Sequence, residues 1–472
     1  MSKLAAVSRQ QRKRKQKRQR KRRQRRQQHL PTKFTRPIPS MPIEVAEIII
    51  DFVGTGLAYF NDPMDSERRK AYHTLRCCAL TCRSWRPRSY HFLYRWIWFV
   101  DLFDDSIFRA SNALINSVRT NGHLQDHIRA LAITQAHEDS MRDPFICLLQ
   151  LTGRLPKLRC LTLAFTSRFV HLNPQKAIQV VSTFSRTLSM LSIQRLSIPT
   201  RIFHRLLFAL PNLVYLEVSV GTIRDPSSPL PLIVPYHRAM QCRLTCLIIV
   251  LDFFLEDSHL HAQQLYAAIL RFPQLISSLD TLLVMLDAKW ATNAPPAIRM
   301  ITSIFRNTAK TLRHLSISIA NFVNWVALPL DVFYLDSMPY LTQLCISFPT
   351  QGAQHVSHVT TFFSSVTSKC LQEVQVQSGD LPGSLRNWKK LDDIFTDARF
   401  PLLQRVLFVL PRDETASEWQ LGESLPNCAT SGILFAHTMD SKIEMHAGHY
   451  EHRSANSCRA QYILAMDKVP PY

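Results

Sequence analysis

A short apolar motif recurs along most of the chain and limits what the chain can fold into. The motif is L-x-x-L-x-[LIV], with Ile, Val or Phe at some positions, and its alternation of apolar and other residues is typical of a half-buried β-strand. Ten copies follow one another at intervals of about 31 residues, which is the spacing of a repeat architecture. The central residues of the ten copies are Leu131, Leu161, Leu196, Leu216, Leu247, Leu282, Leu315, Leu344, Val374 and Val406.

The segments between the motifs predict helices. Several copies begin with an apolar residue followed by proline, as in Leu155-Pro156 and Met338-Pro339, and proline ends a helix because it lacks an N–H group. Strand, turn, helix and turn, repeated, predict an α/β fold in which a solenoid carries a parallel sheet on its concave side. The amphipathic stretches that we expect to be helical are 175–186, 201–210, 262–272, 297–308 and 359–369.

This pattern resembles irregular leucine-rich repeats, and the resemblance covers about residues 128–410. In such a solenoid the leucines of the motif fill the interior, and binding falls to the variable positions of the strands. The mixed chemistry of those positions indicates no single class of ligand, so the target protein cannot be named from them. The variable positions that we single out are Arg195, Tyr215, Glu217, His314 and Gln343.

The N-terminus carries most of the net charge. The formal charge of the chain is +22, and residues 1–40 hold 16 Lys or Arg and no Asp or Glu. Between Arg9 and Arg26, 13 of 18 residues are cationic and the other five are Gln. Because this stretch has no apolar residue to offset the entropy cost of ordering, we predict a disordered basic tail over residues 1–36.

Such a tail binds polyanions such as RNA or DNA through phosphate contacts, without sequence preference. It also matches the composition of a nuclear import signal. A solvated tail with no specific partner is the alternative. The candidate residues for import or polyanion binding are Arg12, Lys13, Arg14, Lys15, Lys17, Arg18, Arg20, Lys21, Arg22, Arg23, Arg25 and Arg26.

A proline-led apolar segment follows the tail. Pro42 suits the first turn of a helix, because its missing N–H group has no helical partner there. Val45, Ile48, Ile49 and Phe52 then recur at the spacing of one helical face. The sequence therefore predicts a first amphipathic helix.

Two further apolar segments come next. A polar stretch over 54–73 predicts a loop, and an apolar segment over 74–85 predicts a second helix that ends before Pro87. The aromatic-rich stretch 90–99 predicts a third helix. Three short helices in this order indicate a small module in front of the repeats.

The order of these segments resembles an F-box, particularly the F-box-like domains of fungal proteins. The similarity spans residues 39 to about 99 and rests on the M-P-I-E-V start and the A-L-T-C-R-S-W core. It implies a three-helix module that binds Skp1, the adaptor of cullin-RING ubiquitin ligases. The residues at positions that pack the helices or face Skp1 in that family are Pro42, Ile43, Ile48, Ile49, Leu75, Ala79, Leu80, Cys82 and Trp85.

The sequence does not separate the packing positions from the Skp1-facing ones. It also leaves a simpler alternative open, because three amphipathic helices with one tryptophan could merely cap the domain that follows.

No catalytic motif accompanies these segments. With 11 glycines in 472 residues, the chain has no GxGxxG, GxxxxGK[ST], GxSxG or HExxH sequence. We therefore expect a protein that is not an enzyme and needs no cofactor.

The cysteines and histidines predict no metal site. The 11 cysteines are scattered and mostly lie in apolar runs, which is typical of reduced thiols in an intracellular protein. His446, His449 and His452 have the spacing H-x-x-H-x-x-H, which fits no standard structural zinc motif. The sequence also predicts no secretory signal, membrane span or lipid anchor.

These observations predict four segments and one function. The segments are a disordered basic tail (1–36), an F-box-like domain (37–100), a leucine-rich-repeat-like solenoid (101–411) and a C-terminal cap or tail (412–472). We expect a substrate-recognition adaptor of an SCF-type (Skp1–cullin–F-box) ubiquitin ligase, located in the nucleus, with the cytoplasm as a second location. The alternative function is a nuclear scaffold that associates with nucleic acid through the tail.

Overall fold

The architecture comes from a computed structural model of the chain, which divides into two compact units, Met1–Ile49 and Ile50–Tyr472. Within the first unit, helix α1 begins, and the Ala46 N–H group donates to the Pro42 carbonyl at 3.1 Å. The residues that the structure describes are 41–59, 66–101, 106–135, 151, 153–165, 174–194, 200–219, 242–250, 269–287, 295–320, 333, 335–348, 355–378, 388–411 and 418–439.

Twelve parallel strands form one sheet in the described part of the second unit. Each strand pairs with its neighbours in the sequence, so the order of the sheet is the order of the chain. This confirms the predicted α/β fold with a parallel sheet, and it is the arrangement of a solenoid-like protein. The strands are β1 (Trp96–Asp101), β2 (Ala130–Gln135), β3 (Cys160–Phe165), β4 (Met190–Gln194), β5 (Tyr215–Ser219), β6 (Cys246–Val250), β7 (Thr281–Asp287), β8 (His314–Ala320), β9 (Gln343–Phe348), β10 (Glu373–Ser378), β11 (Arg405–Pro411) and β12 (Leu434–Met439).

Helices precede the sheet and lie between many of its strands. Four of the five predicted amphipathic stretches overlap a helix, and most of the fifth, 262–272, lies outside the described residues. The α-helices are α1 (Ile43–Tyr59), α2 (Ser66–Thr81), α3 (Arg86–Arg95), α4 (Ser106–Thr120), α5 (Pro174–Thr183), α6 (Thr200–Ala209), α7 (Pro273–Ile276), α8 (Pro295–Thr308), α9 (His355–Ser364), α10 (Lys389–Phe395), α11 (Glu418–Ser424) and α12 (Pro426–Thr430).

The sheet buries the central residues of the repeats on one face. Leu131 pairs with Leu161, Leu161 with Leu191 and Leu191 with Leu216, so these leucines form one row across the strands. The row continues in the same register to Val406 on β11, and each of its side chains is at most 2 % exposed. Full burial of a leucine contributes about 1.5–3 kcal/mol, so this row is a major source of stability.

The third motif is centred on Leu191, and the prediction of Leu196 is wrong. β4 is Met190–Gln194, which leaves Leu196 outside the strand. The sequence misleads here because Ile193 is the last position of the true motif and the first position of the misplaced one. With the correction, the intervals between the centres of β2, β3, β4 and β5 are 30, 30 and 25 residues, instead of 30, 35 and 20.

Two predictions about the N-terminal helices are also wrong. The stretch 90–99 is not one helix: α3 ends at Arg95 and β1 begins at Trp96, where the W-I-W-F-V run has strong β propensity. The stretch 54–73 is not one loop, because α1 extends to Tyr59 and α2 begins at Ser66. Gly54 therefore lies inside α1, where it is buried against the ring of Phe92.

The strands start at shared main-chain carbonyls. The Arg129 carbonyl accepts hydrogen bonds from the N–H groups of Arg159 at 2.8 Å and Cys160 at 3.0 Å. The same two-donor pattern recurs at the start of every strand from β4 to β11. The residue that precedes each strand is therefore stacked on the equivalent residue of the next repeat.

A row of phenylalanines packs beside the later strands. The ring centroids of Phe305 and Phe333 are 5.6 Å apart, and those of Phe333 and Phe362 are also 5.6 Å apart. Phe363 continues the row to Phe395 at 5.0 Å. These side chains are nearly or fully buried, and edge-to-face contacts between them add to the stability gained from burial.

Phe362→Ala should destabilise the protein by about 3–5 kcal/mol, because it leaves a cavity between Phe333 and Phe363. Urea unfolding followed by circular dichroism measures the change. The control is Tyr340→Ala, which removes an aromatic ring that is 56 % exposed and should change the free energy of unfolding by less than about 0.5 kcal/mol. Equal losses in the two variants would contradict the assignment of this row to the core.

The chain continues the sheet beyond residue 411, where the sequence predicts a cap or tail. β12 pairs with β11, with Leu434 opposite Val406. The buried carboxylate of Asp392 on α10 accepts hydrogen bonds from the N–H groups of Asn427 at 2.9 Å and Cys428 at 2.8 Å. These bonds provide acceptors for N–H groups in the first turn of α12, which have no partner within the helix. They also attach the last described repeat to the one before it.

Candidate functional site

In the second unit, the part of α1 from Ile50 onward packs with α2 and α3 around a small apolar core. Ile50, Leu75, Ala79 and Leu93 are buried together in it. Gly54 lies against the ring of Phe92, where an added Cβ would come within 2.2 Å of ring atoms. A glycine is therefore required at this position for the helices to approach as closely as they do.

Polar contacts also tie these helices together. The Tyr72 hydroxyl on α2 donates to the Leu93 carbonyl on α3 at 2.5 Å. The Arg88 guanidinium on α3 donates to both carboxylate oxygens of Asp51 on α1, at 2.6 Å each. Because this ion pair is exposed, we expect it to fix geometry more than to add stability.

The apolar stripe that the sequence predicts for α1 faces solvent. Ile48 is 67 % exposed and Phe52 is 83 % exposed, while Val45 and Ile49 are also exposed. Among residues 43–54 of α1, whose burial the structure describes, the buried positions are Ala46, Ile50 and Gly54. Ile50 is thus the one large apolar side chain that this part of α1 buries, and its other large apolar side chains are exposed or half-buried.

The structure separates the nine residues singled out in this segment into two groups. Leu75 and Ala79 are buried, and Cys82 and Trp85 are half-buried. The Cys82 thiol lies 2.9 Å from the Ser84 hydroxyl, and this contact lowers the pKa of the Cys82 thiol. The exposed members are Pro42, Ile43, Ile48, Ile49 and Leu80.

The face of the sheet opposite the leucine row is formed by the alternate strand positions, and we call it the second face. Over β2 to β7 the described positions of the second face are mostly buried. Of the predicted binding positions there, Tyr215 and Glu217 are buried, and the Glu217 carboxylate accepts hydrogen bonds from Gln194 and Tyr215. Arg195 lies outside the described residues. The apolar side chains buried on this part of the second face are Ala130, Cys160, Met190, Tyr215, Cys246, Ile248, Leu283 and Met285.

Over β8 to β10 the described positions of the second face are mostly polar and at least partly accessible, whereas on β11 the exposed Arg405 is followed by Leu407 and the buried Val409. The predicted position His314 lies 3.2 Å from Thr281, and burial lowers the pKa of its imidazole. The predicted position Gln343 donates to Glu373 at 3.5 Å. The half-buried side chains in the next two rows of these strands include Ser316, Ser318, Cys345, Ser347, Gln375 and Gln377.

The polar row on the second face ends in a cation and an aromatic ring. The Arg405 guanidinium lies 3.6 Å from the Glu373 carboxylate and 5.3 Å from the centre of the Phe435 ring. Phe435 is exposed on β12. This end of the face therefore offers donors, an acceptor and an apolar surface to a ligand.

A cluster of cations lies where the first strands begin, and the sequence analysis missed it. We call His91, Arg95, His127, Arg129 and Arg159 the basic cluster. Arg95, Arg129 and Arg159 each immediately precede a strand, and the rings of His91 and His127 are 6.1 Å apart. The three arginines lie 30 or more residues apart in the chain, so only the register of the strands brings them together.

Electrostatics in the basic cluster disfavour additional positive charge. Burial, with the charge of Arg129 as a second cause, lowers the pKa of Arg95 to about 10. Burial and the surrounding cations lower the pKa of His91 to about 4. The pKa of His127 is lowered by burial and by its cationic neighbours. At neutral pH the arginines therefore carry the charge of the cluster, and the two imidazoles are neutral.

Several predicted features lie outside the described residues. They include the basic tail from Arg12 to Arg26 and the histidines His446, His449 and His452. Within the described residues, no group of three or more His, Cys, Asp or Glu side chains is arranged to hold a metal ion. None of the described helices is both long and apolar enough to cross a bilayer.

A scan against protein-family models finds no match to this sequence, and a search of curated proteins finds none either. The function must therefore be argued from the surfaces described above.

His91 should make the stability of the protein depend on pH. In the unfolded chain this imidazole binds a proton near its ordinary pKa of 6.5, but in the folded chain only near 4. Because the unfolded state binds more protons between these values, stability should decrease as the pH falls from about 6.5 to 4. Urea unfolding at pH 7 and pH 5 should show a smaller decrease for His91→Gln than for the natural protein.

The matched control is His73→Gln, which removes an exposed histidine from α2. It should retain the pH dependence of the natural protein. If His91→Gln lost as much stability between pH 7 and pH 5 as the natural protein does, the imidazole of His91 would not be the group that resists protonation.

Proposed function

We propose that this chain is a substrate-recognition adaptor of an SCF-type ubiquitin ligase. The exposed apolar side chains of α1 and α2 would bind Skp1, and the accessible part of the second face would bind a target protein. The chain itself would be non-catalytic, and ubiquitin transfer would occur on partner subunits.

The placement of exposed apolar side chains supports this proposal most strongly. Of the ten large apolar side chains exposed among the described residues, seven lie within residues 41–80. Six of these seven lie on α1 or directly before it, and concentrated apolar exposure on one helix marks a surface that is covered by a partner. The seven are Met41, Ile43, Val45, Ile48, Ile49, Phe52 and Leu80.

The accessibility of the second face supports a restricted target site. Over β2 to β7 the buried side chains could not contact another protein without rearrangement. Over β8 to β11 the second face offers Gln343, Glu373 and Arg405 at accessible positions, next to the exposed ring of Phe435. We therefore assign target binding to the later strands, a narrower region than the five positions chosen from the sequence.

Replacing an exposed apolar side chain by a charge tests the Skp1 surface. Ile48→Asp and Leu80→Asp should each weaken co-purification with Skp1 by more than about tenfold, because a buried contact would be replaced by a desolvated carboxylate. Affinity can be measured by surface plasmon resonance with purified Skp1. These variants are better tests than Leu75→Ala with Trp85→Ala, because Leu75 belongs to the core and its loss would disturb folding.

The matched control is Leu402→Asp, which places the same charge on a leucine that is 48 % exposed in the repeats. It should bind Skp1 like the natural protein. Failure of the natural full-length chain to bind Skp1 would refute the proposal. Equal binding by Ile48→Asp, Leu80→Asp and Leu402→Asp would show that Ile48 and Leu80 do not belong to the Skp1-binding surface.

The basic tail favours a second candidate function, that of a nuclear scaffold associated with nucleic acid. The 13 cations between Arg9 and Arg26 supply the charge that RNA or DNA phosphates would require, and we propose that the same segment directs the chain to the nucleus. The two functions are compatible, because one uses the tail and the other uses the folded units.

Deleting residues 1–30 tests the role of the tail. The full chain should bind an RNA oligonucleotide with an affinity that falls steeply as salt increases, and the truncated chain should lose most of that salt dependence. Fluorescent fusions of both chains should show nuclear enrichment of the full chain alone. If truncation changed neither the salt slope nor the cellular distribution, the tail would have neither role.

A further inference from the structure

We propose that the basic cluster binds the phosphate group of a phosphorylated serine or threonine in a partner protein. The phosphate site uses none of the exposed apolar residues of α1 and α2, and it does not depend on the binding of Skp1.

The register of the sheet places the three arginines of the site next to one another. Arg95, Arg129 and Arg159 immediately precede β1, β2 and β3, and the main chain links them directly. The Arg129 N–H group donates to the Arg95 carbonyl at 3.0 Å, and the Arg159 N–H group donates to the Arg129 carbonyl at 2.8 Å. Adjacent parallel strands lie about 4.8 Å apart, so the three α-carbons span about 10 Å. Neighbouring guanidinium groups at this spacing can contact one phosphate together, because each presents a planar pair of donors.

Two histidines extend the site beside this row. His91 lies one helical turn before Arg95 on α3, and His127 lies two residues before Arg129. Their rings approach each other at 6.1 Å, edge to face. Both imidazoles can donate a hydrogen bond in the neutral state, so they add polar partners without adding charge at neutral pH.

Cations outnumber carboxylates in this region. With Arg88 and Lys157, the described residues around the cluster include five cationic side chains, and they include two carboxylates, Asp51 and Asp126. Asp51 forms an ion pair with Arg88 at 2.6 Å, and Asp126 forms one with Lys157 at 3.0 Å. An incoming dianion would therefore meet an excess of positive charge, and it would relieve the repulsion among the arginines.

The size and depth of the cluster favour a single phosphorylated side chain over nucleic acid. Arg95 is 9 % exposed, and Arg129, Arg159 and both histidines are only partly exposed. A nucleic-acid backbone needs many protruding cations along an extended surface. One phosphate monoester carries up to two charges on one compact group, so a row of three arginines whose α-carbons span about 10 Å is long enough to surround it.

The later repeats supply a matched control. Arg313 immediately precedes β8, which is the same position in its repeat that Arg129 has before β2. The equivalent residues in the adjacent repeats are Asp280 and Thr342, so Arg313 has no arginine on either side. Substituting Arg313 removes one charge from the same structural position without changing the basic cluster.

The test is isothermal titration of the full-length chain with a short peptide that contains one phosphoserine, in about 150 mM NaCl, where exposed charges are screened beyond about 8 Å. Arg129→Gln and Arg159→Gln should each weaken binding by about tenfold or more, since each removes a charge-assisted contact. Arg313→Gln should bind like the natural protein. Retention of the natural urea midpoint in each variant would show that folding is unchanged.

Three further measurements decide the assignment. The unphosphorylated peptide should not bind, and free inorganic phosphate should compete with the phosphopeptide. Equal binding by the natural chain and Arg129→Gln would overturn the proposal, because the tail or another surface would then be the site. A single-stranded RNA oligonucleotide whose binding depends on Arg129 and Arg159, with no binding of the phosphopeptide, would replace the proposed ligand by nucleic acid.

Discussion

Burial of one residue per repeat in a common row determines the architecture of the second unit. Leu131, Leu161 and Leu191 are paired directly across neighbouring strands, and the same register continues to Val406. A slip of one residue in any strand would turn its leucine toward the opposite face, so the register is strongly specified. Main-chain carbonyls shared at the strand starts keep the same register outside the core.

This constraint decides which side chains are available for function. Alternate positions of each strand must face away from the leucine row, so every other residue of a strand determines the chemistry of the second face. The early strands place Met190, Tyr215 and Ile248 there and bury them, whereas the later strands place His314, Gln343 and similar polar groups there. One sheet thus has two different surfaces along its length, although its backbone geometry repeats.

The sequence was sufficient to predict the parallel sheet, because nine of the ten motifs are centred on residues that the strands contain. The third failed because Ile193 fits two overlapping motifs, and only pairing with the neighbouring strands distinguishes them. The exposure of Ile48 and Phe52 could not be predicted, since an amphipathic stripe has the same periodicity whether it is covered by the same chain or by a partner. The row of Arg95, Arg129 and Arg159 was missed for a related reason: residues 30 or more positions apart become neighbours only when the register is known.

Helix α3 ends at Arg95 and β1 begins at Trp96, with no residue between them. A protein bound at Leu80 on α2, which packs against α3 through Leu75 and Leu93, therefore has no flexible connection to the first strand that would let it move through a range of positions. The distance between a ligand on the sheet and a protein on this helix would be set by covalent geometry and packing within the second unit. If ubiquitin is delivered to such a ligand, the lysines that receive it would be those at a fixed distance from the protein bound on the helix. The effective concentration produced by a flexible tether would not select them.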